Sequence, residues 1–446
     1  MEKINLYKQK ILTGSSIVSK NTTTFDRENF MVENMSENLA FKTFMTKNSA
    51  NFNEALNLFK NNFITYRKNW KRQPADQINR IHNPEKVQNI PLCVDIETAA
   101  ICDLACPFCY RESLATPDKI ISDELCFNVI DQAADLGVPS LKFNWRGEPL
   151  LNPRLHEYIR YSKENGIIDT IINTNATHLD ERKSHSLINS GLDHLIYSFD
   201  GGSKETYEKM RPGRFKFNSF DDVYENIKNF KKIRSGLGAK FPTTKIQMIL
   251  TDQTSSEIDS FFKLFSNYVD DVTVTQYTER GGEVSHLSEF DLQNYQNLCK
   301  KHNLVNNPAY LKDPSGILFV ANKRKPCEQP FQRLMVTYDG RVSMCCYDWG
   351  SMHPVGFISD KPFGDPHKDK YIVIKSINES KKGFDLMSGV KLPPVFNKPL
   401  EKISSLKDIW NGMEINKVRQ SHIEGNIDKI EVCKGCSFKD TYEWIN

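Results

Sequence analysis

The chain has 446 residues, 59 of them basic and 56 acidic, and a formal net charge of +3. Apolar residues make up 39% of the chain, and its mean hydropathy is −0.52. At roughly 150 residues per domain, this length predicts two or three domains. No apolar run approaches the roughly 18–20 residues of a membrane span, and the first residues lack the apolar segment of a signal peptide. We therefore exclude an integral membrane protein, a small secreted scaffold and a strongly basic nucleic-acid binder, and we expect a cytoplasmic protein with no nucleic-acid partner.

The cysteine content indicates thiols that are kept for ligation. Eleven cysteines is a high number for a chain that lacks an export signal. A secreted disulfide framework is short and has an even number of cysteines, so this count favours a reducing compartment. Cys93, Cys126 and Cys299 lie on strand or helix patterns and are expected to be small core residues.

Residues 1–85 are predicted to form an N-terminal helical extension. A stretch rich in Asn, Lys, Ser and Thr is followed by apolar residues at helical spacing. The residues of this pattern are Leu39, Phe41, Phe44, Phe52, Ala55, Leu56, Leu58, Phe59 and Phe63. Two roles stay open for the extension: packing over the next domain, or docking a partner or leader peptide.

From about residue 90 the sequence alternates between strand and helix patterns. Strands are predicted at 92–97, 141–145, 167–173, 192–199, 244–250 and 272–276. Ser122 can cap the first intervening helix, which stops at Gly137, and the next helix opens at Asn152-Pro153 and ends at Gly166. Repeated strand–helix units imply parallel strands with right-handed crossovers, hence a doubly wound sheet or a full or partial barrel. In either fold, ligands bind at the carboxyl ends of the strands.

Three cysteines follow the first predicted strand directly. The segment Cys102-Asp-Leu-Ala-Cys106-Pro-Phe-Cys109 places three thiols within eight residues. Three thiolates on a short loop can bind three irons of a cubane cluster and leave the fourth iron open. A structural zinc site uses four ligands, and no fourth cysteine lies nearby. The spacing therefore favours an open-site iron–sulfur cluster, with zinc or unrelated core cysteines as the alternatives.

This motif, with the aromatic Phe108 before its last cysteine, resembles the signature of radical S-adenosylmethionine (SAM) enzymes. The resemblance implies a partial (β/α)₆ barrel with a 4Fe-4S cluster at its mouth, held by Cys102, Cys106 and Cys109, whose open iron binds SAM. It also implies a low-potential electron donor such as flavodoxin or ferredoxin. One electron cleaves SAM to a 5′-deoxyadenosyl radical, which abstracts hydrogen from the substrate.

The same resemblance assigns cofactor-binding residues to the ends of the following strands. Gly147 and Glu148 resemble the family's Gly-Gly-Glu motif, which contacts the methionine amino group of SAM, although Arg146 replaces the first glycine. The other positions carried over are Phe108, Asn173, Asn175, Ser198, Asp200 and Arg211. The family's adenine motif is not evident in the fifth strand, where Ile246 and Met248 are the nearest apolar candidates. Each polar strand-end residue could equally be a helix cap, and no catalytic acid or base is assigned.

A second group of cysteines lies towards the end of the chain. Its members are Cys327, Cys345, Cys346, Cys433 and Cys436. Four ligands from separate segments can close a site for zinc or for an iron–sulfur cluster. Beside a radical SAM core, the spacing around Asp339-Gly340 resembles the SPASM extension in its shorter "twitch" form. This implies one auxiliary 4Fe-4S cluster held by four cysteines, with Cys346 on the opposite strand face and spare.

Together these patterns predict an α/β protein with three parts. They are an N-terminal helical extension (1–85), a partial (β/α)₆ TIM-like barrel core (86–320) and a small C-terminal α+β auxiliary-cluster domain (321–446). The last part carries an insertion at about 356–404, and a helix is expected at 292–299.

The predicted activity is oxidation or dehydrogenation of a carbohydrate- or aminoglycoside-like small molecule. An auxiliary cluster with four protein ligands has no open iron, so electron transfer suits it better than substrate binding. The first alternative is thioether formation or epimerisation in a ribosomally made peptide, bound by residues 1–85 or by the insertion. The second alternative, from another class, is a non-catalytic zinc-binding protein.

Overall fold

The computed structural model covers most of the regions predicted to carry the function. It describes residues 16–17, 25–39, 41–42, 51–82, 90–109, 111, 118–251, 253–276, 310–312, 318–325, 327–348, 351, 353–359, 403–434 and 441–444. The predicted helix at 292–299, most of the 356–404 insertion and Cys436 lie outside the described residues.

Two sheets organise the described chain. In chain order the strands are β1 (Ser16–Ile17), β2 (Cys93–Ile96), β3 (Ser140–Lys142), β4 (Asp169–Thr174), β5 (His194–Ser198), β6 (Thr243–Leu250), β7 (Asp271–Gln276), β8 (Tyr310–Lys312), β9 (Leu318–Lys325), β10 (Arg333–Val336), β11 (Arg341–Ser343), β12 (Pro354–Phe357) and β13 (Thr441–Trp444). The larger sheet has the order β1-β7-β6-β5-β4-β3-β2-β10-β11-β12, and the smaller has the order β13-β9-β8.

All six predicted core strands are confirmed as β2 to β7. Each pairs in parallel with its successor, so the strand order follows the chain order. A doubly wound sheet would reverse its strand order at a switch point. The unbroken order therefore selects the partial (β/α)₆ barrel of the two predicted arrangements.

The helices lie between the strands and at both ends of the chain. They are α1 (Arg27–Asn34), α2 (Phe52–His82), α3 (Asp123–Leu136), α4 (Leu155–Glu164), α5 (Glu181–Asn189), α6 (Lys204–Met210), α7 (Phe220–Gly236), α8 (Ile258–Phe265), α9 (Gln329–Gln332), α10 (Leu406–Asn411), α11 (Met413–Ile423) and α12 (Glu431–Lys434). The predicted ends of α3 are confirmed: the Ser122 hydroxyl accepts from the Leu125 N–H, and Gly137 has φ +78°. None of the helices in the described ranges is long and apolar enough to cross a membrane.

The auxiliary segment continues the barrel sheet. β10 pairs in parallel with β2, from Arg333 opposite Cys93 to Val336 opposite Ile96. β10 and β11 form an antiparallel hairpin, whose turn has Gly340 at φ +88°. One apolar core extends from β2 to α12, so the barrel and the auxiliary segment pack as one body.

The N-terminal extension packs against the barrel at the amino ends of its strands. The Arg27 guanidinium donates to the buried Asp169 carboxylate at 2.5 and 3.2 Å, at the start of β4. The Asn38 amide donates to the Gly191 carbonyl at 2.9 Å and to the Asp193 carboxylate at 3.0 Å, just before β5. These are the contacts that the packing role predicts for residues 25–39.

The strand predicted at 141–145 ends earlier than expected. The run 141–145 forms a ladder only as far as Lys142. Beyond it, Trp145 and Arg146 turn towards the auxiliary segment, where the indole N–H donates to the Cys346 carbonyl at 3.0 Å. These tertiary contacts replace strand pairing at this point.

Candidate active site

The three motif cysteines lie together on the loop after β2. The Cys109 N–H donates to the Cys106 carbonyl at 2.9 Å, which closes a tight turn. Cys106 is buried, Cys102 and Cys109 are half-buried, and all three are free thiols. Burial raises the pKa of the Cys102 thiol well above its usual range; the Arg111 guanidinium opposes this shift, and the charge of Cys106 adds to it. The loop thus groups three thiols near the Arg111 guanidinium, and three thiolates on one loop can bind three irons of a cluster.

Polar contacts fasten this loop to the barrel. The Asp103 carboxylate accepts from the Asn175 amide at 2.9 Å and from the Thr177 hydroxyl at 2.6 Å. Burial acts to raise the pKa of Asp103, but hydrogen bonds from His178, Thr177 and Asn175 hold it below its usual range. Beyond the cysteines, Arg111 donates to the Ala100 carbonyl at 3.1 Å. The loop is therefore fixed on both sides of the motif.

A second arginine, Arg211 at the C-terminal end of α6, lies near Phe108 and Cys106. The Arg211 guanidinium pairs with Asp200 at 2.6 Å and lies 5.7 Å from the centroid of the Phe108 ring. Burial acts to lower the pKa of Arg211, but the charges of Asp200 and Cys106 raise it above its usual value. The other Asp200 oxygen accepts from the Ile249 N–H at 2.6 Å. Both Asp200 oxygens thus have partners within the protein, so the carboxylate positions Arg211, and its SAM contact stays a prediction.

Glu148 presents a rigid carboxylate at the end of β3. It accepts from the Thr174 hydroxyl at 2.7 Å, the Asn175 N–H at 2.8 Å and the Leu150 N–H at 2.9 Å. Burial, followed by the charge of Asp103, raises its pKa to about 7. A buried carboxylate of this kind is stabilised by a cationic ligand.

Gly147 is required by the packing of this segment. A Cβ on Gly147 would lie 2.2 Å from the Ala99 carbonyl oxygen and 2.4 Å from that of Ile101. The next residue, Glu148, donates its N–H to the same Ile101 carbonyl at 2.8 Å. The glycine therefore lets the carboxylate segment lie directly against the strand that leads to the cysteines.

The remaining strand-end residues differ in whether their side chains have hydrogen-bond partners within the described chain. The Asn173 side-chain oxygen is buried and has no hydrogen-bond partner among the described residues. The Asn175 side chain is used internally, because its amide donates to Asp103 and its oxygen accepts from the Thr177 N–H at 3.0 Å. Ser198 ends β5 and is half-buried. The buried Asn173 oxygen without a partner and the buried Glu148 carboxylate fit a ligand with amino and hydroxyl donors, which SAM has.

The auxiliary cysteines come together from three segments. Burial, followed by the charges of Cys346, Asp348, Cys433 and Cys327, raises the pKa of Cys345 well above its usual range. The sulfur of Cys433 lies 3.6 Å from Nε2 of His422 on α11. In the described ranges, no three His, Cys, Asp or Glu side chains are grouped to hold a single metal ion.

Cys346 is arranged differently from its prediction. β11 ends at Ser343, so Cys345 and Cys346 lie in a turn and do not alternate across a strand. The premise of opposite strand faces is therefore wrong. The Cys346 thiol has its own partner, the Gln329 side-chain oxygen at 3.4 Å, and its role as a spare thiol stays a prediction.

The structure adds a junction between the two cysteine sites that sequence reasoning missed. The Arg146 guanidinium binds both oxygens of Glu97 at 2.6 Å, and both side chains are almost fully buried. The Tyr338 N–H, in the auxiliary hairpin, donates to the same carboxylate at 3.2 Å. Arg146 also lies over the Trp145 ring at 4.6 Å. The only sign of this junction in the sequence is that Arg146 replaces the first glycine of the Gly-Gly-Glu motif.

Two family models match the chain in the regions of these two sites. The radical SAM superfamily model matches residues 96–265, and the SPASM iron–sulfur cluster-binding domain model matches residues 327–384. The chain is a radical SAM enzyme with a C-terminal SPASM domain. The cofactors of these families are SAM, a 4Fe-4S cluster that binds SAM, and an auxiliary iron–sulfur cluster.

Similar proteins have several different names. A probable GTP 3′,8-cyclase of Saccharolobus islandicus is 25% identical over 261 residues, which are 55% of this chain and 80% of the relative. The GTP 3′,8-cyclase of Limosilactobacillus fermentum is 26% identical over 297 residues, covering 61% and 81%. Among solved structures, BtrN in complex with AdoMet and 2-DOIA has a TM-score of 0.41 and 16% identity, covering 78% of this chain and 93% of BtrN. SuiB of Streptococcus suis bound to precursor peptide SuiA has a TM-score of 0.44 and 17% identity, covering 68% and 66%.

Proposed function

We propose that the enzyme cleaves SAM reductively and dehydrogenates a carbohydrate- or aminoglycoside-like small molecule. The observation that carries this proposal is the contact between the SAM-site segment and the auxiliary cysteines. The Trp145 indole donates to the Cys346 carbonyl at 3.0 Å, and Glu148 follows three residues later. Sites joined this closely suit a reaction in which the substrate radical must lose an electron after hydrogen abstraction.

The chain's own residues have distinct parts in this proposal. Cys102, Cys106 and Cys109 would hold the SAM-binding cluster, with which one electron converts SAM to methionine and a 5′-deoxyadenosyl radical. Glu148 would accept from the SAM amino group, and the orphaned Asn173 oxygen would accept from a SAM donor. Three hydrogen bonds hold the Glu148 carboxylate before the ligand arrives, so little ordering cost remains for it on binding.

The auxiliary site would take up the electron that the substrate radical loses. Its cluster would be held by Cys327, Cys345 and Cys433, with Cys436 as the predicted fourth ligand, and it offers an acceptor for a single electron. The substrate gives a hydrogen atom to the adenosyl radical, then one electron and one proton. The net change is the loss of two hydrogens from the substrate and the formation of one 5′-deoxyadenosine.

The test is anaerobic reconstitution of three proteins with iron and sulfide. Wild type is compared with a Cys102→Ala/Cys106→Ala/Cys109→Ala triple variant and a Cys327→Ala/Cys345→Ala double variant. We expect about eight irons in wild type and about four in each variant, as two cubane clusters require. With dithionite as reductant, 5′-deoxyadenosine should form in wild type and in the double variant but not in the triple variant.

Substrate oxidation is then measured by mass spectrometry on a panel of aminocyclitols, amino sugars, a precursor-type peptide and GTP. GTP is included because the curated relatives are GTP 3′,8-cyclases. Loss of two hydrogens from an amino sugar, in wild type only, supports the proposal. Equal oxidation by the double variant would remove the electron-accepting role, and turnover of the peptide or GTP alone would assign the activity to that substrate instead.

A further inference from the structure

The segment 212–218, here called the 212–218 loop, lies directly against the loop that carries the motif cysteines. The Ala105 N–H donates to the Pro212 carbonyl at 2.9 Å, and the Arg214 N–H donates to the Asp103 carbonyl at 2.7 Å. These two bonds flank Leu104, which forms a bridge with Gly213. The 212–218 loop is thus the backbone neighbour of the cluster loop.

Internal contacts fix the shape of the 212–218 loop. A Cβ on Gly213 would lie 1.7 Å from the Lys216 carbonyl oxygen, so the turn closes tightly on the glycine. The Asn218 amide donates to the Tyr207 hydroxyl at 3.1 Å and to the Arg211 carbonyl at 2.9 Å. The Arg214 guanidinium pairs with Asp118 at 2.6 Å. The loop therefore presents its surface side chains from a rigid backbone.

Its surface is both aromatic and basic. Phe215 and Phe217 are 63% and 72% exposed, although large apolar side chains are usually buried. From residue 209 to residue 220 the chain has four basic residues and no acidic residue. Two of the four, Lys209 and Lys216, are exposed. The other two, Arg211 and Arg214, pair with Asp200 and Asp118. Aromatic and cationic side chains together are typical of interface centres.

We propose that the 212–218 loop is the docking surface for the electron donor, a small acidic electron-transfer protein of low potential. The inference rests on the proposed SAM cleavage, which consumes one electron from outside the chain. The loop touches the cluster loop through two backbone hydrogen bonds, so a partner seated on Phe215 and Phe217 sits next to the cysteines. Its positive charge is complementary to an acidic partner and would steer it into place. Electron-transfer complexes have small, transient interfaces, so two exposed aromatic side chains are enough to form the centre of such an interface.

The test separates docking from catalysis. The variants are Phe215→Ala/Phe217→Ala and Lys209→Glu/Lys216→Glu, and the matched control is Leu237→Ala/Met413→Ala, at exposed apolar positions elsewhere. Binding of an oxidised bacterial flavodoxin, and separately of an oxidised ferredoxin, is measured by calorimetry at low and high salt without SAM. SAM cleavage is then driven either by the reduced protein donor or by dithionite.

We expect the aromatic variant to weaken donor binding and donor-driven SAM cleavage by about ten-fold or more, a hot-spot effect. The charge-reversal variant should bind more weakly at low salt and lose its salt dependence. Dithionite-driven cleavage should be unchanged in both variants, and the control should match wild type throughout.

Any of four results would overturn the proposal. The first is that neither donor binds to wild type, and the second is that both variants bind the donor as wild type does. The third is that dithionite-driven cleavage falls in parallel with donor-driven cleavage, which would make the loop a support for the cysteines. The fourth is that the variants bind the donor normally but lose substrate turnover, which would mean that the loop contacts substrate and not the donor. Failure of dithionite-driven cleavage in wild type would contradict the proposed function separately, because donor binding is measured on the oxidised proteins.

Discussion

The two cysteine sites differ in how the chain builds them. In the barrel, Cys102, Cys106 and Cys109 belong to one loop, whose conformation is set by a tight turn and by its anchors. In the auxiliary segment, Cys327, Cys345 and Cys433 belong to three segments that only the folded core brings together. A local motif can thus be identified from spacing alone, whereas an assembled site depends on packing that spacing does not specify.

Their electrostatic surroundings differ as well. At the barrel mouth, Arg111 opposes the rise in the pKa of Cys102, and Arg211 lies near Cys106. At the auxiliary site, burial and anionic neighbours, Asp348 among them, all raise the pKa of Cys345. The Arg111 guanidinium thus opposes the effect of burial on Cys102, whereas no cation is among the main causes of the Cys345 shift.

The largest expected difference within the assembled site is between its two adjacent cysteines. Cys345→Ser should remove the auxiliary cluster and about four irons, since a cluster ligand is lost. Cys346→Ser should keep the full iron content, because its thiol already has the Gln329 partner. Iron and sulfide analysis after anaerobic reconstitution checks this, and the reverse pattern would make Cys346 the ligand.

Breaking the junction between the sites should cost stability. Arg146→Ala leaves the Glu97 carboxylate buried without its cation, which should lower the free energy of unfolding by about 3–5 kcal/mol. A Glu97→Leu/Arg146→Met variant removes both charges and should lose less. Denaturant unfolding followed by circular dichroism compares them, and equal losses in the two variants would show that packing, not the unpaired charge, is responsible.

SAM binding should depend on pH through Glu148. Its pKa is raised to about 7, and the ionised carboxylate is the better acceptor for the SAM amino group, so affinity is highest above pH 7 and falls as the pH drops through that value. Between pH 7 and 5 the dissociation constant should rise by up to about ten-fold per pH unit. Equilibrium dialysis with the reconstituted enzyme measures it, with Glu148→Gln as control; that variant should bind weakly and without this pH dependence.

The smallest expected effect is at the indole that joins the two sites. Trp145→Phe keeps a ring under the Arg146 guanidinium and removes only the N–H that reaches the Cys346 carbonyl. We expect a loss of about 1 kcal/mol in the free energy of unfolding, with dithionite-driven SAM cleavage unchanged. A change in the electron paramagnetic resonance signal of the auxiliary cluster alone would show that the contact acts on that site, and a loss of SAM cleavage would contradict this.

Local signals account for what the sequence predicted. The six strands, the Ser122 cap and the three-cysteine loop depend on residues that are close in the chain, and they are found in place. The pairing of β10 with β2 joins Arg333 to Cys93, and no periodicity encodes a partner so distant. Arg146 with Glu97 was missed for the same reason, because its meaning depends on a side chain that only the fold brings near.

The Arg27–Asp169 pair sets a limit on how far the enzyme can be shortened. Trimming to just before β2, close to the start of the matched family region at residue 96, would remove Arg27 and Asn38 and leave the Asp169 and Asp193 carboxylates with fewer partners. Asp193 would keep Lys163 at 2.8 Å and Thr170, and the apolar side chains that pack with Met31 and Phe41 would be exposed to water. We expect such a shortened protein to aggregate on expression, so the smallest unit that folds on its own begins upstream of Arg27.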